Sequence, residues 1–226
     1  MATVSRARHI SLVGHHGLEF DTLLILWGHP RELSPETGLH RDSAVPSLAL
    51  WLLHLRTLEL IGRTDIPVVP GAEYPLMRTR EETLDAEQRY GSIVWLGAWT
   101  PKYYHAPRDL GSMPEGQPTT KPANEDAAHF LIRMVHKYPH EVTIEEAGPM
   151  TNLALAITLD PEFASLAKEL VFMGASLNPR TDDPEFINAP RHEFNLWFDP
   201  EAAHIVLRAP WKNGVTLSAA VTLAPS

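Results

Sequence analysis

Residues 141–207 constrain the fold more than any other stretch, because strand-like and helix-like runs alternate there. Glu141-Val142-Thr143-Ile144 is a short run with β-branched residues and reads as a strand. The chain turns at Gly148-Pro149-Met150-Thr151-Asn152, and an apolar helical pattern follows to Leu159. Asp160-Pro161-Glu162 restarts a second helical piece, and Leu170-Val171-Phe172-Met173-Gly174 reads as the next strand. After a polar loop comes His192-Glu193-Phe194-Asn195-Leu196-Trp197-Phe198, and Asp199-Pro200-Glu201-Ala202-Ala203 opens another helix. Strand, helix, strand, loop, helix is the order of a parallel sheet with crossover helices. Ligands of such sheets sit beyond the carboxyl ends of the strands. Two polar clusters fall at such ends: Thr151-Asn152 after the first strand, and Glu193 with Asn195 downstream of the second.

The rest of the chain supplies elements that join this unit. Ile10 to Val13 fits a strand, Gly14-His15-His16-Gly17 a turn, and Asp21 to Trp27 either a strand or a helix. Pro30, Pro35, Gly38 and Pro46 mark a loop. Ser47 is placed to cap a helix that runs to Ile61 and stops at Gly62. Leu48, Trp51, Leu52, Leu55, Leu58 and Ile61 recur at helical spacing and predict one buried stripe. Asp65-Ile66-Pro67-Val68-Val69 reads as a short strand, with Pro67 placing it near a strand start or a sheet edge. Arg78 to Arg89 predicts a charged surface helix, and Ile93 to Trp99 is apolar. Pro101 to Pro122 is a long loop of the kind that often carries function. Asn124 is placed to cap a helix over Asp126 to Lys137, with Phe130, Ile132, Met134 and Val135 on its core face. Val215-Thr216-Leu217 begins a strand. The expected division is an atypical segment at 1–46, an α/β domain at 47–217 and a tail at 218–226.

Charge and cysteine usage remove several function classes. With 28 acidic and 19 basic side chains the net charge is −9, which argues against a surface that tracks nucleic-acid phosphates. The chain has no cysteine, so no disulfide framework and no thiolate metal site exist. The apolar run from Leu48 to Ile61 contains His54, Arg56 and Glu59 and is too short to span a membrane. Residues 1–13 lack the features of a secretory signal, and the chain reads as cytoplasmic. His136 and His140 are four apart, but Pro139 interrupts the helix, so they are not expected to share a face. No His-Glu-x-x-His pattern, Gly-rich phosphate loop or Gly-x-Ser-x-Gly elbow is present.

Each polar cluster has a plain reading beside a functional one. Thr151-Asn152 suits an ordinary helix N-cap, and Asp199-Pro200 is a helix start with Pro at the first turn. Glu193 and Asn195, two apart in an extended segment, place both side chains on one face. That is either a polar surface strand, or a carboxylate and an amide arranged for hydroxyls that donate and accept.

Four blocks together resemble a known family. They are Gly148-Pro149-Met150-Thr151-Asn152-Leu153-Ala154-Leu155-Ala156, Leu159-Asp160-Pro161-Glu162, Val171-Phe172-Met173-Gly174, and Glu193-Phe194-Asn195-Leu196-Trp197-Phe198-Asp199-Pro200-Glu201-Ala202-Ala203. In this order and spacing they look like the inosine-uridine preferring nucleoside hydrolases. Arg63-Thr64-Asp65-Ile66-Pro67-Val68 and Gly71-Ala72-Glu73 extend the likeness upstream. The resemblance implies an α/β fold with a mainly parallel Rossmann-like sheet and flanking helices, and hydrolysis of the N-glycosidic bond of a ribonucleoside to base and ribose. It implies that Glu193 and Asn195 hold ribose hydroxyls, that Asn188 reaches the 5′ end of the sugar, that Met173, whose plain reading is a core residue, lines the sugar pocket, and that His105 overhangs the base. It implies calcium as cofactor, with the Thr151 carbonyl as one ligand.

The sequence also departs from the family pattern. The family's acidic cluster at an N-terminal strand end has no counterpart, since Asp21-Thr22 continues as Leu23-Leu24. Thr181-Asp182-Asp183 lies in a different loop, and no late His-Asp segment follows. The expectation is a fold incomplete at both ends, truncated relative to the family, with one carbonyl unable to hold calcium usefully. A lost first strand would expose a sheet edge and favour association into a homo-oligomer. Two functions remain open: hydrolysis of ribonucleosides, or a non-catalytic relative that binds a nucleoside or a partner weakly.

Overall fold

The computed structural model describes residues 8–13, 22–24, 50–92, 99, 116–174, 193–213 and 215–218. His105, Asn188, His15, His16, Ser47, Asp182 and Asp183, all singled out above, lie outside the described residues. Six strands form one sheet in the order β3-β2-β1-β4-β5-β6. They are β1 (Arg8–Val13), β2 (Thr22–Leu24), β3 (Val68–Pro70), β4 (Val142–Glu146), β5 (Glu169–Met173) and β6 (Val215–Ser218). β1, β4, β5 and β6 are mutually parallel. β2 is antiparallel to both β1 and β3, so β3 again points the same way as the parallel set. The carboxyl ends of β3, β4 and β5 therefore share one rim of the sheet. β1 pairs on both sides, so among the described strands β3 and β6 are outermost and β4 is interior.

The helices among the described residues are α1 (Leu50–Leu60), α2 (Arg80–Tyr90), α3 (Ala127–Lys137), α4 (Thr151–Leu159), α5 (Phe163–Leu166), α6 (Phe194–Phe198) and α7 (Pro200–Leu207). Local chemistry fixes their ends. α1 stops in a left-handed turn: Gly62 has φ 71°, its N–H donates to Glu59 O, and Arg63 N–H donates to Leu58 O. This paired closure needs a residue that tolerates positive φ. α2 starts in a capping box, Thr79 and Glu82 each accepting the other's backbone N–H. α3 is capped by Asp126, whose Oδ1 accepts His129 N–H at 3.1 Å, and not by Asn124 as the sequence suggested.

One core cluster packs against the sheet. Val142, Ile144 and Leu170 have no exposed surface and join Leu131, Val135, Leu153, Ala156, Phe163, Ala202 and Val206 in one cluster. α3 and α4 hold its centre, and Trp211 closes it, edge-on to Phe163 at 6.0 Å with its Nε1–H on Val206 O. Leu52, Leu55 and Leu58 of α1 are buried as the stripe predicted. Ile61 is not, because the helix has already ended and the Gly62 turn swings it to solvent. His136 meets Asp160 at 2.7 Å, whereas His140 sits beyond the helix at φ 62° with its N–H on Leu166 O.

Glu59 of α1 fastens the segment that leads into α3. One oxygen accepts the N–H groups of Thr119 (2.7 Å) and Thr120 (2.6 Å) and both their hydroxyls, and the other accepts from Arg56. The Thr120 N–H is the largest influence holding the Glu59 carboxyl at about 2, against an ordinary 4.5.

Leu131→Ala leaves a void at a fully buried site and lowers unfolding free energy in urea by about 2–5 kcal/mol. For Glu59 the depressed carboxyl stabilises the native state above pH 4.5 and loses that effect as pH falls towards about 2. Glu59→Gln therefore melts earlier than the native chain at neutral pH, and the gap closes across that acidic window.

Candidate functional site

The rim shared by β3, β4 and β5 carries the polar clusters singled out in the sequence. At the end of β4, Glu146 is fully buried and accepts Gly148 N–H at 3.0 Å, which tightens the turn into α4. Thr151 and Asn152 open α4 and are buried. Asn152 does not cap its own helix; its Oδ1 accepts Ala72 N–H at 2.9 Å from the loop after β3. The Thr151 hydroxyl donates to Asp199 Oδ2 at 2.6 Å.

Glu193 and Asn195 come together at the end of β5, by a geometry the sequence reading did not foresee. The segment is not extended: Phe194–Phe198 is helical, and Glu193 is its N-cap, accepting the N–H groups of Asn195 and Leu196, each at 3.0 Å. Asn195 Nδ2–H donates to the Met173 carbonyl at 3.0 Å. A capped turn, held by the end of β5, brings these polar residues together in place of the expected extended spacing. Gly174 permits this approach, since a Cβ there would lie 3.1 Å from the Phe172 ring and 3.3 Å from Glu193 Oε2. The Met173 side chain is half-buried at the strand end, on the face opposite Phe172.

An aromatic satellite core fixes α6. Phe194, Phe198 and Trp99 are buried together, with Trp99 and Phe198 ring centres 4.6 Å apart. The Arg78 guanidinium lies over the Trp197 ring at 4.6 Å and joins the loop after β3 to the same helix.

Asp199 is the member that sequence reasoning undervalued. It caps α7 through Ala202 N–H, as the Asp-Pro-Glu pattern suggested. It also has no exposed surface, and its other oxygen takes the Thr151 hydroxyl and Leu76 N–H. Nothing local signals these bonds, because the partners lie 48 and 123 residues away.

A hard divalent cation wants six to eight oxygen ligands, several of them carboxylates. Among the described residues no group of three or more acidic or histidine side chains converges. Thr151 is the first residue of α4, following the N-cap Met150 whose carbonyl accepts Ala154 N–H, and its hydroxyl is engaged by Asp199. Glu146, Glu193 and Asp199 each accept backbone N–H groups. The described donor set does not fit calcium.

Comparison with known proteins places the chain. The family model described as inosine-uridine preferring nucleoside hydrolase matches residues 51–225, and the chain belongs to that family. It is 34% identical over 148 residues to a probable uridine nucleosidase 1 of Oryza sativa, covering 66% of this chain and 39% of that one. It is 34% identical over 155 residues to the pyrimidine-specific ribonucleoside hydrolase RihA of Escherichia coli, covering 69% and 42%. The chain thus spans about two fifths of the length of these relatives. Among solved structures, an inosine-guanosine nucleoside hydrolase superposes with a TM-score of 0.53 at 24% identity, covering 74% of this chain and 48% of that one. A purine-preferring ribonucleoside hydrolase from Gardnerella vaginalis gives 0.52 at 24%, covering 73% and 45%. These two likenesses establish the α/β fold. No helix among the described residues is long and apolar enough to cross a membrane.

Capping and positioning are separable here. Glu193→Ala strands two backbone donors in a buried place and lowers stability by about 1–3 kcal/mol in urea. Asn195→Ala removes one neutral hydrogen bond to Met173 O and lowers it by about 1 kcal/mol.

Proposed function

We propose that this chain provides the sugar-holding part of a ribonucleoside N-glycosidase site, acting on ribonucleosides to release base and ribose. The observation that carries the reading is the pair Glu193 and Asn195, buried and fixed at the carboxyl end of β5 in a chain of the nucleoside hydrolase family. A carboxylate accepts from ribose hydroxyls, and an amide both donates and accepts. Asn195 donates one N–H to Met173 O, and its second N–H and Oδ1 are the atoms this reading gives to a sugar. Asn188 towards the 5′ end, Met173 at the sugar and His105 at the base complete the assignment. In the same reading Thr151 offers its carbonyl to calcium, with the carboxylates for that ion coming from outside the described residues. Self-association belongs to the proposal as well, through the outer sheet edges at β3 and β6.

A second reading is favoured by one sequence observation: Asp21-Thr22 continues as Leu23-Leu24, without the acidic cluster that would supply a base. In it the same rim binds a nucleoside or a partner weakly and cleaves nothing. Incubating the purified chain with uridine or inosine and calcium separates the two. The hydrolytic reading expects ribose release above blank, reduced about tenfold or more in Glu193→Gln, since a hydrogen bond to a charged group is worth about 1.5–3 kcal/mol. Uridine binding by calorimetry without ribose release supports the second reading, and neither binding nor release sinks both.

A further inference from the structure

We propose that Asp199 is a positioning residue that sets where Glu193 and Asn195 stand, an inference that rests on the ribonucleoside reading above. α6 is five residues long, with Glu193 at its head and Asp199 at its foot. So short a helix has little stability of its own, and its placement is dictated by what grips its two ends. The head is held by β5: Asn195 Nδ2–H reaches the Met173 carbonyl, and Glu193 lies against Gly174. The foot is held by Asp199, whose Oδ2 gathers the Thr151 hydroxyl from α4 and the Leu76 N–H from the loop after β3. Its Oδ1 fixes the start of α7 through Ala202. Asp199 stands four residues after Asn195, one helical turn along, so a shift of the foot is passed to the amide that faces the sugar. The carboxylate is fully buried and acts through its acceptor geometry alone.

The chemistry of an amide replacement makes this testable. Asp199→Asn keeps one oxygen for the α7 cap and places an NH2 where Oδ2 stood. The Thr151 hydroxyl can turn to accept from it, but Leu76 N–H then faces another donor. Thr151→Val removes only the hydroxyl link. The full-length chain is labelled with nitrogen-15, and the side-chain amide cross-peaks of Asn195 are followed by NMR beside uridine affinity by calorimetry. Both variants are expected to move the Asn195 cross-peaks and to weaken uridine binding, Asp199→Asn on the order of tenfold, as small misplacements of positioned groups do. Leu131→Ala, which destabilises the fold without touching the rim, is expected to move neither. If Asp199→Asn does not fold, Thr151→Val decides. Cross-peaks at their native places, or displaced cross-peaks with native uridine affinity, overturn the proposal. Should the native chain bind no uridine, the ribonucleoside reading fails, and the cross-peaks alone judge whether Asp199 positions Asn195.

Discussion

A carboxylate with no exposed surface persists only where hydrogen bonds replace the water it has lost. Asp199 meets that condition by drawing donors from three separate stretches: the loop after β3, the first turn of α4 and the start of α7. Those stretches can meet only because of the sheet. Among the described strands β2 is the one reversed, so β3 delivers its following loop to the rim where β4 and β5 also end. Were β3 antiparallel to β4, Leu76 would leave the opposite rim and the carboxylate would lose a partner. Strand direction, a property of the whole sheet, is thus what permits one side chain to tie the rim together.

Two cores divide the labour. The large one, between the sheet and α1, α3, α4, α5 and α7, is a cluster of apolar side chains that makes the fold. The small one, Trp99 with Phe194 and Phe198, gives α6 a floor, and Arg78 stacked on Trp197 gives it a wall. α6 would not form in isolation. Its order comes from a carboxylate cap, an aromatic bed and the Asp199 clasp, so the placement of Asn195 reflects tertiary structure throughout.

The strand–helix–strand order of residues 141–207 was legible because its local signals agree: β-branched runs, a Gly-Pro turn and an Asp-Pro helix start. Where two residues competed for one role, the sequence was less decisive. Asn124 and Asp126 are both good caps, and Asp126 wins because its side chain reaches the N–H three residues on. Residues 193–198 alternate in a way that suits a strand, yet they curl because the Glu193 carboxylate satisfies two N–H groups that a strand would have sent to a neighbour. The candidate site was legible as a set of residue types in family order. Its clasp was not, since a cap pattern displays one oxygen of Asp199 and the fold alone supplies the partners of the other.

Breaking an N-glycosidic bond asks two things of a site, to hold the sugar and to activate water, and the proposed reading gives the described rim the first. A general base must have an oxygen directed at a water that is itself aimed at the sugar. Asp199 is fully buried, with both oxygens on backbone N–H groups and the Thr151 hydroxyl, and Glu146 is fully buried with its Oε1 on Gly148 N–H. Glu193 is turned onto the first N–H groups of α6, and in the proposed reading its role is to accept from sugar hydroxyls. The hydrolytic and the binding readings therefore share every sugar contact assigned here. They differ only in whether a water-activating carboxylate reaches this rim from elsewhere in the protein.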